Sequence, residues 1–438
     1  MRFNVFKNTV LLFVLVLISC GSKAKSEASS SNMEVMAKNE ILLQGQQDSI
    51  QQIISKELIL GANQTEAYLP LLNGKRVGIV ANQTSVIFKG NKNEIATSQK
   101  APRNDTYTHL VDSLIALKVD VKKVFAPEHG FRGTADAGEV VKDGIDTKTG
   151  LPIVSLYGKN KKPSVEQLKD LDLVIFDIQD VGARFYTYIS SLHYVMAACA
   201  EANIPVLILD RPNPNGHYID GPILEMEHKS FVGMHPIPVV HGMTIAEYAK
   251  MINGEKWLEH GVQCDITVIA MQNYTHDTVY ELPIKPSPNL PNAKSINLYP
   301  SLCFFEGTNV SAGRGTDKQF QIFGSPFLDT EMFPYTYTFT PKPNEGSKYP
   351  KHENKVCYGM DLSTSKYLSR LDLNYIIEAY QATEKKETFF NNFFTKLAGT
   401  RKLQKQIENQ HTAYEIKKTW VKGLATYNAM RQAYLLYK

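Results

Sequence analysis

The chain contains 438 residues, which at about 150 residues per domain predicts two or three domains. Hydrophobic residues make up 43% of it and charged residues 21%, which excludes both a disordered chain and a polytopic membrane protein. The formal net charge of +4 is too small for an electrostatic nucleic-acid binder, so we expect no nucleic-acid partner.

The N-terminal segment is typical of a bacterial lipoprotein signal. Arg2 and Lys7 precede the nine-residue apolar run 10–18, which fits a signal-peptide core and is too short to span a bilayer. The run ends in LISC, which resembles a lipobox, so we predict that residues 1–19 are removed and that Cys20 is lipidated. An ordinary secretory signal is the alternative. In both cases we expect export.

Residues 20–60 are predicted to form a tether and a lead-in helix. Gly21–Asn32 is rich in Ser, Lys and Ala without an apolar pattern, as in flexible linkers, whereas Asp48–Leu58 is amphipathic. Ser22 stands where an aspartate would favour inner-membrane retention, and no acidic run follows Cys20. We therefore expect a lipid-anchored membrane protein on the periplasmic face of the outer membrane.

Residues 61–285 alternate between short β-branched runs and helical patterns. The predicted strands are Arg76–Ala81, Val121–Ala126, Pro152–Leu156, Leu173–Asp177, Ile204–Asp210 and Asp265–Ile269. The predicted helices are Thr106–Leu117, a stretch capped by Ser164, Tyr186–Ala202 and Thr244–Asn253. Apolar strands separated by helices are typical of parallel strands buried on both faces. The pattern predicts an α/β domain with a doubly wound parallel sheet.

The amino-acid composition changes at Leu282–Pro300, which contains five prolines. We predict irregular structure there and a domain boundary between residues 285 and 286. The C-terminal domain, residues 286–438, is rich in Phe and Tyr. Its helical patterns are Asn374–Ala382, Asn391–Ala398, Thr400–Asn409 and Trp420–Tyr437.

Four cysteines lie beyond Cys20, namely Cys199, Cys264, Cys303 and Cys357. They could form two disulfides in three connectivities, and an exported protein would permit them. However, Cys199 falls in a predicted helix and Cys264 beside a predicted strand, both among apolar residues. Free buried thiols are therefore the favoured interpretation.

Polar residues follow four of the predicted strands at their carboxyl ends, where open α/β sheets bind ligands. These segments are Asn82–Thr84, Pro127–Gly133, Asp177–Tyr186 and Asp210–Gly216. Acids, amides, arginines and glycines therefore converge on one edge, which favours an active site over ordinary solvated loops.

Several chemistries are disfavoured by missing motifs. The sequence has no GxGxxG, no P-loop and no GxSxG elbow, which argues against dinucleotide, nucleotide and serine-hydrolase sites. Gly313–Thr316 resembles an anion-binding loop. His235 and His241 lack a third ligand at interpretable spacing, so a structural or substrate-contacting role is favoured and we expect no metal and no cofactor.

Carboxylates are the remaining candidates for chemistry. They are Glu128, Asp177, Asp180, Asp210, Glu306 and Asp317. Glycoside hydrolysis needs a protonated carboxylic acid and a second carboxylate. Glu128 follows a proline at a strand end, with His129 and Arg132 close enough in sequence to tune its pKa. A helix cap or an ion-pair partner of Arg132 or Arg184 is the alternative role for Glu128.

Five long motifs, in order, resemble those of exo-β-N-acetylmuramidases of the NamZ type, glycoside hydrolase family 171. They are Phe125–Gly133, Phe176–Tyr188, Leu209–Pro214 with Gly221–Leu224, Tyr299–Asn309 and Ser311–Thr316. The resemblance covers most of the chain from about Gly61 onward. It implies a Rossmann-like catalytic domain and a smaller α+β C-terminal domain that closes the cleft. It also implies release of N-acetylmuramic acid from the non-reducing end of peptidoglycan fragments, in cell-wall turnover and recycling.

The resemblance also implies roles for individual residues. Glu128 is the expected general acid/base, and Asp177, Asp180 and Glu306 are candidates for the second carboxylate. The expected substrate contacts are His129, Arg132, Arg184, Tyr186, Asp210, Arg211, Asn213, Glu306 and Arg314. Arginines suit the lactyl carboxylate that distinguishes muramic acid, and Tyr186 and Tyr188 could stack on the sugar or pack in the core.

Two alternatives remain open at this point. One is an exo-hexosaminidase that prefers another sugar, such as N-acetylglucosamine. The other is a lipoprotein that binds cell-wall sugar without cutting it, although a lectin needs no buried acid at a strand end. The expected partners in the favoured interpretation are a muropeptide or disaccharide substrate and, through Cys20, the membrane.

Overall fold

The computed structural model describes residues 57–89, 106–133, 143–332 and 336–437. The predicted signal segment, Cys20 and the tether lie outside the described residues, as does all but the end of the predicted lead-in helix. The part from residue 57 onward forms one compact unit. Within the described ranges, no helix has the length and apolar character needed to cross a membrane.

The main sheet is built from seven of the first nine strands. In chain order these nine are β1 Arg76–Ala81, β2 Val86–Phe88, β3 Tyr107–His109, β4 Asp120–Ala126, β5 Gly144–Ile145, β6 Pro152–Ser155, β7 Leu173–Asp177, β8 Val206–Leu209 and β9 Ile266–Ile269. The sheet order is β5-β6-β4-β1-β7-β8-β9, and every pairing is parallel except that of β5 with β6. Apart from the edge strand β5, this is the order of Rossmann-like sheets, as predicted.

Five helices accompany this sheet. They are α1 Thr65–Leu72, α2 Leu110–Ala116, α3 Val165–Leu168, α4 Tyr188–Glu201 and α5 Ile245–Gly254. Ser164 and Thr244 cap α3 and α5 through reciprocal capping boxes, which confirms both predicted helix starts. The prediction of one helix over 106–117 is wrong at its beginning, because β3 pairs antiparallel with β2. The ring of His109 then accepts a hydrogen bond from the backbone N–H of Val111 and caps α2.

The proline-rich segment contains a helix that the sequence analysis did not predict. This helix, α6 Ala293–Leu302, begins at the capping residue Asn292 and includes Pro300 in its last turn. A proline has no N–H for the carbonyl four residues earlier, here that of Ile296. The side-chain amide of Asn215 donates to that carbonyl at 3.1 Å, so the missing hydrogen bond is replaced from outside the helix.

The rest of the chain adds a small sheet and more helices. Strands β10 Ile322–Ser325, β11 Tyr337–Phe339 and β12 Cys357–Asp361 form an antiparallel sheet in the order β10-β12-β11. The helices are α7 Asn374–Ala382, α8 Phe393–Ala398, α9 Lys402–Glu408, α10 Ala413–Lys418 and α11 Val421–Arg431. The four predicted C-terminal helices are present. The first has the predicted bounds, the other three are shorter, and α10 was missed.

Both halves of the sequence contribute to one hydrophobic core. The largest cluster of buried apolar side chains extends from Val80 and Phe125 to Ile416 and Tyr427. The end of the described chain also reaches the main sheet, because the Tyr437 hydroxyl donates to Asp210 at 2.6 Å. The four cysteines are buried and free, as the apolar patterns favoured. The largest hydrophobic cluster therefore contains residues from both sides of the predicted boundary at 285/286.

Candidate functional site

A cleft of about 800 Å³ lies at the carboxyl edge of the main sheet. Residues from the loop after β4, from the loop after β6 and from the segment that precedes α4 form one wall, and the second half of the chain contributes to the other. The lining residues are Glu128, His129, Tyr157, Phe185, Tyr186, Thr187, Phe231, Val232, Ser287, Asn289, Leu290, Tyr299, Glu306, Arg314, Phe320, Gly346, Ser347, Lys348, Tyr349 and Phe393.

The carboxylate of Glu128 is held on both oxygens by hydroxyl groups. The Tyr157 hydroxyl donates to Oε1 at 2.9 Å, and the Thr187 hydroxyl donates to Oε2 at 2.8 Å. Burial, followed by the adjacent Glu128 charge, raises the pKa of Tyr157 above its usual range. Tyr157 therefore keeps its proton at neutral pH and remains a donor to the carboxylate.

The backbone after β4 turns sharply and directs Glu128 into the cleft. His129 and Gly130 both have positive φ, 70° and 77°, a conformation that glycine adopts freely and other residues rarely. Behind the turn, the amide of Asn82 donates to the Tyr188 hydroxyl at 2.8 Å. That hydroxyl lies 3.4 Å from the backbone oxygen of Glu128. The end of β1 thereby supports the turn that carries the acid.

An ion pair lines the opposite wall. The Arg314 Nε–H donates to Glu306 Oε1 at 2.6 Å, and a terminal guanidinium nitrogen lies 2.5 Å from the same oxygen. The guanidinium also lies over the Phe320 ring, 5.2 Å from its centroid, a cation–π geometry. Arg314 has five N–H donors, and the contacts with Glu306 involve its Nε and one terminal nitrogen.

Lys351 fixes the chain that carries this ion pair. Its Nζ donates to the backbone carbonyls of Phe305, Thr308 and Val310 at 3.0, 2.5 and 3.0 Å. Burial lowers the pKa of Lys351 to about 8. The segment between Glu306 and Arg314 is therefore bound from inside by a lysine and does not depend on a ligand for its shape.

Aromatic rings form part of the cleft surface. Tyr186 packs edge-on against Tyr299, with ring centroids 5.9 Å apart, and Tyr299 packs in the same way against Phe320 at 4.9 Å. Tyr186 lines the cleft as predicted, and its hydroxyl donates to the Pro286 carbonyl. Tyr188 does not line the cleft and instead packs edge-on against Tyr186.

Asp177 and Arg211 form a buried ion pair away from the cleft lining. The Arg211 guanidinium donates to both carboxylate oxygens of Asp177 at 2.6 and 2.9 Å, and both side chains are at most 3% exposed. The pair joins the ends of β7 and β8. Each residue provides the counter-charge of the other, and neither has a role in the proposed mechanism.

Asp180, Asp210 and Asn213 likewise bind protein groups outside the cleft. Asp180 accepts the backbone N–H of Gly182 at 2.7 Å. Asp210 accepts hydrogen bonds from the Thr244 hydroxyl and two other donors at the start of α5 and near the chain end. The Asn213 amide donates to the Met243 carbonyl and is 2% exposed.

Two of the predicted arginine contacts are structural. Arg184 is fully buried, and its guanidinium donates to four backbone carbonyls, those of Pro222, Ile237, Leu397 and Ala398, at 2.7–3.0 Å. Burial without a carboxylate lowers the pKa of Arg184 to about 9. Arg132 forms ion pairs with Asp146 and Asp112 at 2.7 and 3.2 Å and not with Glu128. Of the predicted arginines, the structure brings only Arg314 to the cleft.

The two histidines considered as metal ligands have other partners. His235 lies between the Tyr248 hydroxyl, at 2.7 Å, and His193, at 2.9 Å. His241 lies 3.5 Å from the Asp180 carboxylate. Neither belongs to a group of three metal-binding side chains; within the described ranges one such group occurs, at Glu225, Glu227 and His228, where Glu225 is paired with Lys402.

Two cleft residues that contact Glu128 were not predicted. Thr187 lies inside the motif Phe176–Tyr188, and Tyr157 directly follows the predicted strand Pro152–Leu156. A rule that examines every strand end would have found Tyr157. Thr187 carries no signal of its own, because a threonine before a helix usually indicates a cap. Thr187 makes no capping hydrogen bond here, and its hydroxyl is bound to Glu128 instead.

Comparison with known proteins places this cleft in a family. Residues 77–294 match the model described as "Exo-beta-N-acetylmuramidase NamZ, N-terminal", and residues 297–437 match its C-terminal counterpart. The chain belongs to the NamZ family of exo-β-N-acetylmuramidases. The junction of the two family models, at residues 294–297, falls within α6.

Individual relatives agree with this family over most of the chain. The peptidoglycan β-N-acetylmuramidase NamZ of Bacillus subtilis strain 168 is 38% identical over 399 residues, covering 84% of this chain and 89% of the relative. A crystal structure of a DUF1343 family protein from Bacteroides fragilis is 46% identical, with a TM-score of 0.77. A second DUF1343 protein of the same organism is 26% identical, with a TM-score of 0.68. Each of these two matches covers 87% of this chain and 99% of the Bacteroides fragilis chain.

Proposed function

We propose that the chain is an exo-acting glycoside hydrolase that releases N-acetylmuramic acid from the non-reducing end of peptidoglycan fragments. The observation that carries this proposal is the Glu128 carboxylate, bound by the Tyr157 and Thr187 hydroxyls in a cleft whose other wall carries the Glu306–Arg314 ion pair. Family membership supplies the sugar, and the geometry supplies an acid positioned to reach it.

Glu128 acts as general acid/base in this proposal. In its protonated form it donates to the glycosidic oxygen while the bond from that oxygen to C1 breaks, and the bonding electron pair remains on the leaving N-acetylglucosamine. C1 forms its new bond either to a water that the second carboxylate deprotonates or to that carboxylate itself, which water then displaces. The hydroxyls of Tyr157 and Thr187 then donate to the carboxylate that forms. Because both donors are already in place, little reorganisation is needed as the charge develops.

Glu306 is the proposed second carboxylate. Of the described residues that line the cleft, Glu128 and Glu306 are the two carboxylates, whereas Asp177 and Asp180 are bound elsewhere. The adjacent Arg314 is the proposed partner of the lactyl carboxylate, because a guanidinium can bind a carboxylate with two parallel hydrogen bonds. N-acetylglucosamine lacks the lactyl group and would leave Arg314 without this contact.

The test compares two chromogenic substrates on protein lacking residues 1–20. We expect release from the β-N-acetylmuramic acid glycoside and at least about tenfold slower release from the N-acetylglucosamine glycoside, since loss of a charged hydrogen bond costs about 1.5–3 kcal/mol. Equal or faster release from the N-acetylglucosamine glycoside would show that the enzyme does not select muramic acid. No release from either glycoside or from a MurNAc–GlcNAc disaccharide, with folded protein, would favour a sugar-binding lipoprotein.

We also propose that the protein is exported and anchored by lipid at Cys20, on the periplasmic face of the outer membrane. Support comes from the short apolar run 10–18 followed by LISC and from the polymeric cell-wall substrate. Mass spectrometry of the mature N-terminus tests the anchor. We expect a diacylglyceryl group on Cys20, and a Cys20→Ser variant should leave the membrane fraction. An unmodified N-terminus elsewhere would indicate an ordinary secretory signal.

A further inference from the structure

A second concave surface of about 620 Å³ lies beside the cleft. We call it the basic basin and define it by four exposed cations that line it, Lys229, Lys396, Arg401 and Lys405. Lys229 comes from the loop before Phe231, and the other three come from α8, α9 and the residue that precedes α9.

The basin and the cleft share a wall. Ser230 lines the basin while Phe231 and Val232 line the cleft, and Asn392 lines the basin while Phe393 lines the cleft.

A direct hydrogen bond also connects the two surfaces. Asn391, which lines the basin, donates from its side chain to the backbone oxygen of Glu306 at 3.4 Å and from its backbone to that of Gly307 at 2.9 Å. The basin is therefore one residue away from the ion pair that we assign to the catalytic cleft.

The cations of the basin are not held in ion pairs by the described part of the chain. Among the described residues, none of the four lies within ion-pair distance of a carboxylate, whereas the neighbouring Lys402 is paired with Glu225 at 2.6 Å. Two acids also line the basin, but Glu227 lies 3.2 Å from His228 and Glu408 accepts a hydrogen bond from Gln404. Four cations against two acids leave the concavity with a net positive charge, which attracts anions.

We propose that the basic basin binds carboxylates of the substrate beyond the cleaved bond. This inference rests on the proposed exo-muramidase function. An enzyme that removes one terminal sugar must let the rest of the glycan leave through the open side of the cleft. In a peptidoglycan strand every second sugar is a muramic acid, whose lactyl group carries a free carboxylate or a stem peptide with carboxylates of its own. The basin takes the carboxylates of the next muramic acid along the strand.

The experiment compares a MurNAc–GlcNAc disaccharide with the corresponding tetrasaccharide, which adds one internal muramic acid. The variant is Lys396→Gln/Lys405→Gln, and the matched control, Lys118→Gln/Lys422→Gln, removes the same charge from exposed positions that do not line the basin. We expect the variant to raise KM for the tetrasaccharide about fivefold, from about 0.5 kcal/mol per exposed ion pair. For this variant, kcat and the KM for the disaccharide should stay within about twofold of wild type. The control variant should keep its kcat and both KM values within the same range.

A tetrasaccharide bearing a stem peptide on the internal muramic acid distinguishes the two sources of carboxylate. A larger effect of the variant on this substrate assigns the basin to the peptide, and an equal effect assigns it to the lactyl group. An unchanged tetrasaccharide KM, or an equal rise for the disaccharide, would overturn the inference. If wild type cleaves no substrate, the proposed function fails separately. Calorimetric binding of the uncut tetrasaccharide would then still decide for or against the basin.

Discussion

Replacing Glu128 by Gln tests the catalytic assignment most directly. The change preserves the shape of the side chain but exchanges one carboxylate oxygen for an NH₂ donor. Tyr157 and Thr187 both donate to Glu128, so one of the two hydroxyls must turn and accept. That rearrangement should cost about 1 kcal/mol of unfolding free energy, which leaves the protein folded.

The effect on turnover should depend on the leaving group. General acid–base catalysis contributes about 10²–10⁴-fold, and we expect a loss in that range for the MurNAc–GlcNAc disaccharide, whose leaving alcohol needs a proton. A nitrophenyl glycoside needs less protonation, so its bond-cleavage step should lose about tenfold or less. Single-turnover measurements on both substrates, alongside urea unfolding, give these values.

Tyr157→Phe is the matched control because it keeps the carboxylate and removes one of its donors. We expect it to lose about tenfold in kcat, from about 1.5 kcal/mol for a hydrogen bond to a charged group. A Glu128→Gln enzyme that cleaves the disaccharide within about tenfold of wild type would refute the assignment. An equal loss on both substrates would refute the acid role specifically.

Three further predictions concern charged residues with different roles. Arg184→Met should lower the unfolding free energy by about 3–5 kcal/mol, since it leaves buried carbonyls without donors. If the variant is as stable in urea as wild type but has a raised KM, Arg184 does not have this structural role. Arg314→Gln should raise KM for the muramic acid glycoside about tenfold and leave that of the N-acetylglucosamine glycoside unchanged, and equal changes would argue against lactyl recognition. Burial raises the pKa of Asp210 to about 6, so the folded protein holds this proton after the unfolded chain has released it, and stability falls as pH rises from about 4 to about 6. Relative to wild type, Asp210→Asn should therefore gain up to about 3 kcal/mol across that window in urea titrations, whereas a constant difference would show that Asp210 does not titrate there.

The parallel sheet could be predicted from sequence because its strands are continuous apolar runs. β1 and β7 were predicted with the bounds that the structure shows, since strands buried on both faces differ sharply from their surroundings. The helix α6 could not be predicted by the same rules. The carbonyl of Ile296, which the proline leaves without its helical donor, is bound by Asn215, 81 positions before Ile296, and local sequence does not record such a contact.

The position of the candidate site could be predicted from the sequence better than the residues that line it. The rule that ligands bind at the carboxyl ends of strands indicated the edge where the cleft lies and included Glu128, which lines it. It could not separate Arg314 from Arg184 and Arg211, because all three lie in polar or glycine-containing segments. What separates them is partner geometry: four carbonyls for Arg184, a buried carboxylate for Arg211 and an ion pair in the cleft for Arg314.

The contact of Tyr437 with Asp210 has a consequence for the order in which the protein can be completed. The two residues are 227 positions apart, and the Tyr437 hydroxyl also accepts the backbone N–H of Met271 just after β9. During synthesis, the end of β8 therefore lacks this partner until residue 437 has emerged, 227 positions later. For expression work, any sequence fused after Tyr437 should begin with a flexible spacer, so that the Tyr437 side chain can still reach its buried position.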